Sequence, residues 1–119
     1  MIRIDGLFAR AEALAVDLID LLETDPDRGQ LVLDGLVEET RKDLGTAQFP
    51  LIYRLSGPEP AKATPMQYGG FFLERDRELL ERTKTKGEVW LYIDAGSDAY
   101  LDFVSDLPAD VFAWDAQKT

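Results

Sequence analysis

The chain has no cysteine and no histidine among its 119 residues. Without cysteine there is no disulfide framework, no thiol nucleophile and no thiolate metal site. Without histidine, Ser-His-Asp and Cys-His catalysis and imidazole general bases are excluded, and the two absences together remove the usual zinc ligands. Long apolar runs are missing as well. No stretch approaches the roughly 20 residues that span a bilayer, and Asp5, Arg10 and Glu12 interrupt the region where a signal peptide would carry its apolar core. The expectation is a soluble, cytoplasmic protein without membrane contact, cofactor or metal. Glycine-rich phosphate loops and the Gly-x-Ser-x-Gly elbow are absent. The segment 94–99 lacks the second ligand and the following glycine of a calcium loop. Carboxylate pairs able to cleave glycosides are uninformative here, since 23 acids guarantee chance pairs at a workable distance.

Positive charge is scarce, with 13 bases against 23 acids and a net charge of −10. The imbalance is uneven. Residues 1–44 hold 11 acids and 5 bases, residues 45–87 hold 5 and 7, and residues 88–119 hold 7 and 1. Such a field repels nucleic acid and anionic membranes and draws basic proteins. The predicted partner is a basic protein or nucleoprotein, with no direct nucleic-acid contact. The basic stretch Arg75, Arg77, Arg82, Lys84 and Lys86 reads as a solvated helix face making weak ion pairs.

Periodicity supplies the elements. Leu7, Ala11, Leu14, Leu18 and Leu21 repeat at helical spacing over residues 6–23, with Asp5 as the expected N-cap. Asp25 and Pro26 then open a second helix that carries Leu33, Leu36, Val37, Thr40 and Leu44 on one stripe and ends at Gly45. A rival hairpin through Asp34-Gly35 stays open, although the charged tail 38–43 favours the helix. Residues 49–55 form a strand candidate that begins at Pro50 or lies at an edge. Residues 56–65, rich in proline, read as a loop. Residues 66–73 are a bent strand or the opening of a helix, and residues 74–84 are helical with a stop at Gly87. Residues 105–114 are a short capped helix or a final strand.

The organising stretch is 88–104, two apolar runs joined by the turn-forming residues 94–98, which predicts a β-hairpin. If Ile93 faces Ala99, alternation gathers Val89, Leu91, Ile93, Leu101 and Phe103 on a core face. Trp90, Tyr92, Tyr100 and Asp102 then share the other face. The predicted fold is a single α+β domain over 1–119, two N-terminal helices packed on a small antiparallel sheet with the C-terminal hairpin.

Two uses fit that second hairpin face. A helix covers it, or a partner does, since Trp and Tyr are enriched at interface hot spots. The candidate partner-binding residues are therefore Trp90, Tyr92, Asp94, Asp98, Tyr100 and Asp102, the aromatics as anchors and the acids as steering charges. The acids Asp94, Asp98, Asp102, Asp106 and Asp110 recur at every fourth position, yet the run crosses a turn, a strand and a helix cap, where local roles explain them. The leading expectation is a non-enzymatic, small acidic binding domain that inhibits a basic target, of the phage anti-defence (such as anti-CRISPR) or bacterial immunity type. The alternative is a structural or homo-oligomeric assembly subunit that self-associates through the aromatic face. A carboxylate, Ser, Tyr or Lys enzyme is the third class.

Overall fold

The first ordered element is a strand, β1 (Ile2–Asp5), followed by helices α1 (Leu7–Ala13), α2 (Leu18–Thr24) and α3 (Pro26–Thr46). Strand β2 (Leu51–Leu55) leads to α4 (Pro65–Tyr68), a π-helical turn (Gly69–Leu73) and α5 (Glu74–Lys84); β3 (Val89–Ile93), α6 (Leu101–Val104) and β4 (Val111–Trp114) complete the order. This structure, a computed structural model, describes residues 1–95 and 99–114, and of Trp114 the backbone only.

The helix expected over 6–23 is split. Ala15 adopts a φ of 57°, and Asp17 caps α2 by accepting the Asp20 N–H at 3.1 Å. Asp5 ends β1 rather than capping α1. Gly6 takes the cap position, because a Cβ there would lie 3.0 Å from the Arg54 carbonyl oxygen and 3.1 Å from the Tyr53 ring. Asp25 does cap α3, with Pro26 in its first turn, and the stripe Leu33, Leu36, Val37, Thr40 and Leu44 is buried. Residues 30–44 are thus helical, and Asp34 and Gly35 lie on the exposed side.

The sheet departs from expectation. Its four strands run in the order β1-β2-β3-β4 and every pairing is parallel. The helix-plus-sheet α+β character stands, but the antiparallel sheet, the 88–104 hairpin and the two-helix N-terminus do not. β3 is the first arm of the supposed hairpin. The second arm instead contains α6, in which Val104 is buried, Leu107 three residues on is buried too, and Leu101 is 46% exposed. An apolar run of this length satisfies strand alternation and an i, i+3 pattern equally well, and the crossover between parallel strands decides in favour of the helix. β2, between β1 and β3, is not an edge, and Pro50 stands just before it.

A parallel sheet with strands in sequential order, joined by right-handed crossovers, carries all its connections on one side. Burial agrees. Ile4, Leu51, Tyr53, Leu55, Val89, Leu91 and Ile93 point into one core with Leu7, Leu18, Leu33, Leu36, Phe72, Leu80, Val104 and Leu107. The alternate residues of β2 and β3 are each only partly buried.

One turn behind β2 is tightly constrained. Gly57 has a φ of 108°, and a Cβ on it would lie 2.6 Å from Cγ of Phe8, whose ring is itself held edge-on to Phe72 at 5.2 Å. Gly57→Ala combines an unfavourable backbone with an overpacked ring and should cost about 2 kcal/mol. Urea unfolding of the two proteins at constant slope measures it; an unchanged midpoint would show that the turn relaxes freely.

Candidate functional site: the second face of the sheet

The strand register lays out the second face of the sheet as two rows. Arg3, Ile52, Trp90 and Val111 are neighbours in the first, and Asp5, Arg54, Tyr92 and Ala113 in the second. Neighbours in a row are about 4.8 Å apart because adjacent strands are. Among the described residues, no helix joins this face to the core: Ile52, Trp90 and Val111 are absent from the apolar cluster, whereas Phe112, one residue on, packs against it. The face arises because β2 and β3 alternate Leu-Ile-Tyr-Arg-Leu and Val-Trp-Leu-Tyr-Ile, which gives each strand one aliphatic-rich inner side and one amphipathic outer side.

Charge on this face is balanced and confined to one side. Arg54 donates from Nε and Nη2 to Oδ2 of Asp94, at 3.0 and 2.6 Å, and its Nη1 lies 3.4 Å from Oδ1 of Asp5. Arg3 reaches across β2 so that its guanidinium carbon sits 5.4 Å from the centre of the Tyr92 ring. The indole Nε1 of Trp90 is buried with no hydrogen-bond partner among the described residues. The rows are therefore apolar toward β4 and ionic toward β1.

Of the predicted site residues, Trp90, Tyr92 and Asp94 come together here. Tyr100 and Asp102 do not. They line a hollow of about 430 Å³ with Pro65, Ala99, Leu101 and Phe103, and the Tyr100 hydroxyl donates to the Ala63 carbonyl at 2.6 Å. Their separation follows from the absence of the hairpin. Asp98 lies outside the described residues. The contributions of Arg3, Asp5, Ile52, Arg54, Val111 and Ala113 were missed, because β1 and the parallel register are needed to place them. The alternation in Leu51-Ile52-Tyr53-Arg54-Leu55 was the available signal.

The densest uncompensated charge is elsewhere. Asp17, Asp20, Glu23, Asp25 and Asp27 crowd α2 and the start of α3, and none makes an ion pair among the described residues, whereas Asp34, Glu38, Glu39 and Asp43 of α3 are engaged by Arg75, Arg41 and Arg10. Asp17 and Asp25 serve as caps.

One cluster bears on catalysis. The Ser56 hydroxyl donates to Oε1 of Glu12 at 2.6 Å, while Lys62 Nζ donates to Ser56 Oγ and to Oε2 of Glu12, both at 2.8 Å. Burial alone would raise the Glu12 carboxyl, but the hydrogen bonds from Lys62 and Ser56 outweigh it and hold the group below the usual carboxylate range. A lowered carboxylate is a poor base, a charged lysine occupies the serine lone pair, and Ser56 is 1% exposed. This geometry clamps the segment after β2 to α1. Among the described residues, no three Asp or Glu side chains converge to hold a metal ion, and no helix is long and apolar enough to cross a membrane.

No family model matches the chain, and neither a curated protein nor a solved structure matches it.

Proposed function

We propose that this chain is a non-enzymatic, protein-binding domain that acts by occupying the surface of a basic partner, as an inhibitor does. The observation that carries the reading is a partly buried sheet face, with Trp90 at its middle and no helix of the described residues packed on it, on a molecule of net charge −10. The two features divide the work. Trp90, Ile52 and Val111 form the contact, where desolvated aromatics supply affinity. The acids of α2 and the start of α3 that make no ion pair among the described residues act at a distance, raising the rate of encounter with a cationic surface. This revises the role expected of the acids, because Asp94 is already committed to Arg54.

The experiment is capture from lysate by immobilised chain at low and high salt, in parallel with a Trp90→Ala bait, followed by kinetics on the protein recovered. A basic protein held by the native chain at low salt and lost from the Trp90→Ala bait supports the reading. In kinetics, Trp90→Ala should raise the dissociation rate about 30-fold, the effect of a hot-spot residue worth about 2 kcal/mol. Reversing Asp20, Glu23 and Asp27 to lysine should slow association about tenfold at low salt. Equal capture by both baits would remove the sheet face from the contact.

A second reading, a self-associating subunit, draws on the same face. Arg3, Asp5, Arg54 and Asp94 put both signs of charge on one patch, which a two-fold contact can satisfy reciprocally. Light scattering at high concentration distinguishes it.

A further inference from the structure

All-parallel sheets are ordinarily covered by helices on both faces, and here the described residues supply them on one. We propose that the missing layer is an amphipathic helix of the partner protein, lying on β2–β4 with a basic polar side. The inference rests on the protein-binding reading above and names the chemistry of the occupant.

The shape of the apolar area carries the first part. Ile52, Trp90, Val111 and Ala113 cover three adjacent strands, β2 to β4. Three strands at about 4.8 Å spacing make a stripe roughly 10 Å across, which is the width of one helix. The outward residues of these strands stand in two rows about 7 Å apart, which with the width of the side chains gives the stripe a length of roughly 12 Å, or about two helical turns. A helix presenting Leu or Ala at i, i+3, i+4 and i+7 fills such a surface. A second copy fits less well. The whole sheet face measures roughly 14 by 16 Å, near 220 Å², well short of the roughly 800 Å² per partner of a standard interface. Two copies would also bring together two chains of net charge −10.

Charge complementarity carries the second part. The only bases in the two rows, Arg3 and Arg54, stand on β1 and β2, and Arg54 is bound by Asp94 and Asp5. From Gly87 to Gln117 the sequence contains no Lys or Arg. Glu88 and Asp110, both exposed, stand immediately before β3 and β4. Asp110 keeps its place by accepting the Val89 N–H at 2.8 Å. Over β3 the helix passes Glu88, which alternation places on the Trp90 side, and over β2 the one base, Arg54, is already held by Asp94 and Asp5, so a row of lysines along its side meets negative charge.

The test uses the full chain and two eighteen-residue helical peptides, with the same Leu/Ala apolar side and either Lys or Glu on the polar side. Backbone amide shifts of the isotope-labelled protein are followed during titration. The Lys peptide should bind at micromolar concentration and move the amides of Ile52, Trp90 and Val111, and the Glu peptide should bind at least tenfold more weakly. Shifts confined to α2 and the start of α3, or no binding of the Lys peptide at millimolar concentration, overturn the proposal. Ile52→Glu adds a negative charge to the face. It weakens the Lys peptide at least tenfold if the helix seats on the sheet, and strengthens it if attraction is merely electrostatic, an outcome against the proposal. The native-chain shift map decides alone if that variant does not fold. A dimer in light scattering that Ile52→Glu dissociates also overturns it, since a second copy then holds the face. If the peptides fail while Trp90→Ala still abolishes capture of a basic protein, the binding-domain reading survives and only the helical occupant falls.

Discussion

Raising the pH from 5 to 8 should cost the native protein about 3 kcal/mol of stability relative to an Asp76→Asn variant. Asp76, on α5, is 1% exposed and accepts a hydrogen bond from the Tyr53 hydroxyl at 2.5 Å, with the Leu7 N–H of α1 3.5 Å away. Burial drives its carboxyl up, the bonds from Tyr53 and Leu7 pull it part of the way back, and it titrates at about 7. Burial, with the Asp76 charge beside them, pushes the hydroxyls of Tyr53 and Tyr68 well above their ordinary value. Because the folded value of Asp76 lies above the unfolded one of about 3.9, the folded state holds this proton more tightly. Its contribution is complete below pH 4, falls by about 1.4 kcal/mol per pH unit as the unfolded chain alone ionises, and levels off above pH 7. Asparagine keeps an acceptor for Tyr53 and Leu7 and removes the titration. The two stability curves, from urea unfolding at half-unit pH steps, should converge or cross as pH rises. Parallel curves would show that Asp76 stays ionised in the fold.

The helices were legible where burial and capping agree. Asp25 with Pro26, the stripe from Leu33 to Leu44 and the charged tail 38–43 favour α3 over the rival hairpin at Asp34-Gly35, and the helix is what forms. The helix that opens at Pro65 was also written locally. Thr64 and Gln67 form a capping box, the Thr64 hydroxyl accepting the Gln67 N–H at 3.1 Å and the Gln67 side chain accepting the Thr64 N–H at 2.9 Å. Three prolines and the pair Gly69-Gly70 obscured it. The π turn carries the helical path through those glycines, so that Tyr68, Phe72, Leu73, Asp76, Leu79, Leu80 and Thr83 share one buried side.

Strand pairing was not legible, because nothing local distinguishes a parallel neighbour from an antiparallel one. Residues 89–93 read as a strand from composition, yet their partners 51–55 lie nearly forty residues earlier, and β1 is only four residues long. The site inherited that limit. Trp90 and Tyr92 were visible as a surplus of aromatic side chains on one side of a strand, which survives any register. Tyr100 and Asp102 were assigned to that side only through the hairpin, and fell with it. Arg54 becomes part of the face only once Asp5 and Asp94 are known to flank it.

Phe72→Ala should destabilise the fold by about 4 kcal/mol, toward the upper end for a large aromatic removed from a core. Its ring is fully buried and meets three others: Phe8 edge-on at 5.2 Å, Tyr68 at 6.2 Å and Phe71 edge-on at 6.4 Å. The neighbouring rings and the buried residues of the sheet are held by their own packing and cannot close over the space, so the cavity stays open. Phe8 would lose the ring that holds it against Gly57, and the segment after β2 would loosen with it. Phe72→Leu keeps most of the volume and should cost no more than about 1.5 kcal/mol. Chemical unfolding of the three proteins at one pH separates volume from aromatic geometry. Similar losses for alanine and leucine would mean that edge-on ring contact, rather than filled space, holds this corner. A loss below about 1 kcal/mol for alanine would mean that the Phe8–Phe72 contact does not tie the layer of helices to the back of the sheet whose front carries Trp90.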